Sequence, residues 1–186
     1  MGNYYMKRSD IRELCEIALM AAVLAVCSWI SIPTTVPFTL QTFGVCMAIR
    51  LLGGKRGTVA IMLYLLIGLV GVPVFAQFAS GPSAIIGPTG GYLVGFLLMS
   101  GLYWAFEKRL NSAVSKEAVL YAGLLLCYAA GTAWFVYVMG TKGNPQTIAS
   151  ALNLCVIPYM LPDIAKQILS ALAARQVQRL LKTIRS

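Results

Sequence analysis

Two ionisable residues sit within an otherwise apolar stretch near the C-terminus, in the run Pro158-Tyr159-Met160-Leu161-Pro162-Asp163-Ile164-Ala165-Lys166. If that stretch is helical, the spacing of three puts Asp163 and Lys166 on one face. A carboxylate accepts hydrogen bonds and an ammonium donates them. Together they match a neutral ligand group offering both N–H and C=O, such as a urea or a lactam. A bare phosphate would demand several donors instead. Pro162 directly before Asp163 points to a helix beginning there, with the carboxylate in a first turn where the dipole favours an anion. Ser170 stands four residues beyond Lys166, a spacing open to a Ser–Lys nucleophile pair, although no oxyanion site accompanies it.

The rest of the chemistry is narrow. Histidine is absent, which removes the commonest general base, metal ligand and triad partner. Five cysteines, at 15, 27, 46, 127 and 155, form no C-x-x-C pair. Neither a metal nor a cofactor is therefore expected. Gly53-Gly54-Lys55-Arg56-Gly57 lacks the pattern and the preceding strand of a phosphate-binding loop, so ATP has no site here.

The elements that must position the charged pair read as membrane helices. Of 186 residues, 59% are hydrophobic and 11% charged, against roughly a quarter charged in soluble domains. Residues 57–106 contain no charge across fifty positions, which excludes a water-soluble domain. Charges and Pro/Gly clusters divide the chain into six apolar segments, at about 17–32, 40–52, 58–75, 90–106, 118–140 and 149–174. The fold expected is all-α, a single membrane domain forming a six-transmembrane-helix bundle. A bilayer core of ~30 Å wants ~20 apolar residues per helix, and the second segment is short for that.

The net charge of +9 would fit nucleic acid, but its distribution fits membrane orientation. Lys7, Arg8 and Arg12 precede the first segment. Arg50, Lys55 and Arg56 gather at the second connection, Lys108, Arg109 and Lys116 at the fourth, and Arg175, Arg179, Lys182 and Arg185 follow the last segment. Thirteen of fifteen basic residues thus share one side, leaving Lys142 opposite and Lys166 within the sixth segment. Both termini are expected to be cytoplasmic, in a multi-pass plasma-membrane protein with no nucleic-acid partner. Asp163 lies twelve residues before Arg175, hence ~18 Å from the cytoplasmic edge at 1.5 Å per residue.

The connections on the opposite side, residues 33–39 and 72–89, carry no charge and are rich in Pro, Gly and large apolar residues. Such backbone belongs folded onto a bundle or lining a cavity. Gln41 and Gln77 stand near these connections and supply amide contacts. Phe38, Phe75, Phe78, Tyr92 and Tyr159 are candidates to wall the apolar part of a ligand, although each alone reads equally as packing.

Four runs carry a resemblance: Pro37-Phe38-Thr39-Leu40-Gln41-Thr42, Gly71-Val72-Pro73-Val74-Phe75, Gly87-Pro88-Thr89-Gly90-Gly91-Tyr92-Leu93-Val94-Gly95-Phe96, and Pro162-Asp163 with Lys166. They resemble the BioY family, the biotin-specific S components of energy-coupling-factor vitamin transporters. The resemblance implies biotin bound near the outer surface under the two shaped loops, with Asp163 and Lys166 on its ureido ring. It leaves the polar contact from the second loop open between Gln77 and Ser80. It further implies a transmembrane coupling subunit and separate ATPase subunits, with capture outside followed by toppling of the loaded bundle. Ala18-x-x-x-Ala22 and Ala21-x-x-x-Ala25 place small residues four apart on the first segment, which suits close helix packing. By the resemblance, Ala18, Ala22 and Ala25 become the face that docks the coupling subunit. Two rival functions remain: a self-sufficient carrier with Asp163 as proton relay, although no inverted repeat is visible, and an S component for another small vitamin.

Overall fold

The structure, a computed structural model, describes residues 8–34 and 36–185; Lys7, Thr35 and the side chain of Arg185 lie outside that description. Helix α1 spans Arg8–Trp29 and turns Ile17, Met20, Ala21, Leu24, Ala25, Cys27 and Ser28 inward. This is the spacing by threes and fours of one helical face. Two short antiparallel strands follow, β1 (Ser31–Ile32) and β2 (Phe38–Thr39), with Ser31 opposite Thr39 and Ile32 opposite Phe38. They close the first connection into a small hairpin.

Helix α2, Gln41–Leu69, is interrupted at Gly53, whose φ of 79° suits a residue without Cβ. The break folds the chain back on itself. The Gln41 amide donates to the Tyr64 hydroxyl at 2.7 Å, whereas a straight helix would hold those residues roughly 35 Å apart. The two arms therefore lie side by side. Gly54 N–H donates to both carboxylate oxygens of Glu107 at 3.0 Å, which caps the second arm.

After α2 come the short helix α3 (Pro82–Ile86), α4 (Gly90–Phe106) and α5 (Ala113–Thr141). Ser112 and Ser115 form a capping box at the start of α5. Helix α6 (Ile148–Cys155) and helix α7 (Ile157–Arg185) meet at Val156 with a bend of 43°. The sequence places a helix start at Asp163; the structure places it six residues earlier and leaves Pro162 inside α7. Pro158 explains the shift. It sits in the first turn of α7, where the missing N–H has no intrahelical partner to lose. Asp163 consequently lies beyond the first turn, and the helix dipole is not what holds its charge.

Helix α4 packs on α5, while α1, α4 and α7 pack on α2. Leu24, Ile49, Ile61, Met99 and Leu120, fully buried, meet at the centre. Among the described residues, α2 and α5 are long and apolar enough to cross a membrane, and the bent pair α6–α7 qualifies if taken as one span. Three expected segments change shape: the one at 17–32 ends at Trp29 with Ser31–Ile32 in β1, the one at 58–75 ends at Leu69, and the one at 149–174 is a broken helix. Phe75 therefore belongs to a loop.

Candidate functional site

A cavity of about 390 Å³ opens between the two Pro/Gly-rich loops, residues 33–39 and 72–89, and reaches down to α7. Asp163 and Lys166, each 5% exposed, form its floor. Lys166 Nζ donates to Asp163 Oδ1 at 2.8 Å. The second oxygen is also held: the Tyr128 hydroxyl of α5 donates to Asp163 Oδ2 at 2.7 Å. The carboxylate is thus gripped from both sides, and each oxygen retains a lone pair for a ligand. Lys166 Nζ lies 3.9 Å from the centroid of the Phe38 ring, a cation–π contact. A buried charge pair that is hydrogen-bonded on both members and opens onto a cavity is arranged to receive a polar group.

Another part of the lining is an amide fixed in orientation. Thr39 Oγ1 donates to Gln41 Oε1 at 2.9 Å and Gln41 Nε2 donates to Tyr64 Oη at 2.7 Å. Both ends of the amide are assigned by these partners. Phe75 stands edge-on to Tyr64, with ring centroids 5.5 Å apart. Its ring also lies where a Cβ on Gly68 would be, 2.1 Å from the nearest ring atom, so only glycine admits it there.

Each loop over the cavity is tied to a different helix. Tyr159 of α7 donates its hydroxyl to the Val36 carbonyl, pairs with the Thr34 hydroxyl at 2.9 Å and stacks on Phe38. The second loop is held by the end of α1. Ser28 Oγ donates to the Val74 carbonyl, Trp29 Nε1 to the Pro73 carbonyl at 2.8 Å, and the Trp29 ring stacks on Phe78. Gln77 and Phe78 both take φ of 57°, a conformation costly for residues with side chains. The Trp29–Phe78 stack is one contact that holds this turn.

The sequence profile of the BioY family matches residues 5–183. The chain belongs to the BioY family. It is 36% identical to the biotin transporter BioY of Thermotoga maritima over 171 residues, which is 91% of this chain and 98% of that one. It is 35% identical over 166 residues to the biotin transporter BioY2 of Lactococcus lactis, covering 88% of each. Among solved structures it is similar to the S component for biotin from an ECF-type ABC transporter, with a TM-score of 0.77 and 26% identity over 94% of this chain and 95% of that one.

Within this BioY fold, most of the residues expected at the site come together. Asp163, Lys166, Gln41, Gln77, Phe75, Tyr92 and Tyr159 all line the cavity. Phe38 lies behind Lys166 and supports it rather than facing the space. Three further residues belong to the site without having been picked out from the sequence: Tyr128, Tyr64 and Thr39. Tyr128 is 35 residues from Asp163, and nothing in its local spacing marks it. Thr39 stands two residues before Gln41 in a run already singled out, so its role was within reach.

Two expectations are corrected. Ser170 does not meet Lys166: it donates to the Gln167 carbonyl and accepts from Arg50, while the ammonium is engaged by Asp163. A Ser–Lys nucleophile has no geometry here. The alanines also divide. Ala18 and Ala22 are exposed, but Ala25 faces the core beside Ala21 and is not available to a partner. The four alanines form one stripe that straddles the edge of the buried face, with Ala21 and Ala25 on its inner side and Ala18 and Ala22 on its outer side, and the sequence pattern does not mark that edge. Among the described residues no group of three or more His, Cys, Asp or Glu is placed to hold a metal ion.

Proposed function

We propose that this chain is the substrate-capture subunit of an ECF-type biotin importer. It takes biotin from the outer side of a plasma membrane and passes it on with separate coupling and ATPase subunits. The observation that carries the reading is the Asp163–Lys166 pair, 2.8 Å apart at the floor of a cavity roofed by two loops. An acceptor beside a donor suits the N–H and C=O of a ureido ring, and Tyr128 keeps the acceptor aimed. Phe75 and Tyr92 offer apolar surface to the rest of the ligand.

In this reading the bundle crosses the membrane six times, through α1, the two arms of α2, α4, α5 and the bent α6–α7 pair, with both termini cytoplasmic. The one-sided basic residues support the orientation, and the fold-back at Gly53 supports two crossings from α2. Ala18 and Ala22 form the face offered to the coupling subunit, where small residues permit close helix approach. The test of the function is direct: purified protein should bind biotin and release it to excess desthiobiotin. Protein that binds neither would remove the reading.

A further inference from the structure

The polar groups around the cavity divide by charge. Among the described residues that line it, Asp163 is the one anion and Lys166 the one cation, and they neutralise each other at 2.8 Å. The ammonium is engaged a second time by the Phe38 ring. Toward the loops the lining is neutral, and donors are left unused there. Gln77, an exposed residue at the lip, and Thr89, just ahead of α4, have no side-chain hydrogen-bond partner among the described residues.

Biotin is a neutral bicyclic head on an alkyl tail ending in a carboxylate. With the head on Asp163 and Lys166, the tail points toward the loops. No full positive charge awaits it there among the described lining residues, and the cavity's single ammonium is already committed to Asp163. Neutral N–H and O–H donors serve a carboxamide oxygen as they serve a carboxylate oxygen. Ionisation of the acceptor strengthens a hydrogen bond from a neutral donor roughly twofold, but a carboxylate also loses more hydration than a carboxamide on entering the site, so strong discrimination on charge calls for a cationic partner as well. We propose that the site reads the head of its ligand and leaves the charge of the tail unread, so that it captures neutral carboxamides of biotin as well as the free acid. This rests on the biotin reading above.

The test is calorimetric titration of the purified full chain in detergent with biotin and with biotinamide, whose carboxamide matches the carboxylate in size and carries no charge. The Kd for biotinamide should fall within about tenfold of that for biotin, and the Kd for biotin should not rise with added salt. Biotin bound and biotinamide weaker by more than about tenfold would overturn the proposal while leaving the biotin reading intact. Failure to bind either compound would overturn the biotin reading, and the proposal with it. Gln77→Ala should weaken both ligands by the same factor; a loss confined to biotin would show that Gln77 recognises charge and would contradict the proposal.

Discussion

Asp163 accepts from Lys166 on one oxygen and from Tyr128 on the other, so three side chains from two helices behave as one group. Asp163→Asn and Lys166→Met should each weaken biotin binding while the purified protein stays folded. Removing one member of a buried hydrogen-bonded charge pair costs about 2–5 kcal/mol, partly because the survivor is left unpaired. The double variant should therefore lose less than the sum of the two, as measured in a binding cycle; strict additivity would show that the residues act separately. Tyr128→Phe keeps the ring and removes only the donor to Oδ2. Its biotin affinity should fall by roughly tenfold, the scale of one hydrogen bond to a charged group. That loss should shrink in an Asp163→Asn background; an equal loss there would assign Tyr128 to packing alone. At this scale the charged pair was legible because its members stand three positions apart on one helix. Tyr128 was not, because its partner comes from another helix and only the tertiary fold brings the two within reach.

Among the elements, the two loops are restrained by different helices, one by Tyr159 of α7 and the other by Ser28 and Trp29 of α1. If they close over biotin, hydrogen exchange should slow across residues 75–87 on adding biotin, while residues 107–112 at the far end of α4 remain unchanged. Uniform protection of both would indicate general stabilisation without a lid. The helix that holds the second loop also carries Ala18 and Ala22 on its exposed side. Ala22→Leu adds bulk where two backbones must approach, and overpacking of this kind costs about 1–3 kcal/mol. The variant should bind biotin normally but fail to co-purify with a coupling subunit; loss of biotin binding as well would place Ala22 in the bundle's own core. The apolar segments were readable because charges and Pro/Gly clusters bound them. The start of α7 was misplaced because two prolines, Pro158 and Pro162, offer the same local signal. The choice between them depends on the bend at Val156, which no local pattern records.

At the scale of the whole molecule, two clusters in this chain of 186 residues tie helices distant in sequence together through buried or part-buried charged side chains. One is the site. The other is the opposite end of the bundle, where Arg50 bridges the first arm of α2 to Glu117 of α5 and Ser170 of α7. Arg50 reads in the sequence only as one more basic residue near a turn, and its partners are 67 and 120 residues away. With the binding cavity at one end and this cross-link at the other, ligand capture and bundle integrity rest on different residues. The most direct test is therefore a titration of biotin into the purified chain alone, beside the same titration into Asp163→Asn/Lys166→Met. Saturable binding of one biotin per chain, lost or severely weakened in the folded double variant, is the predicted result. Binding that survives removal of both charges, or no binding by the unaltered chain, would contradict the account.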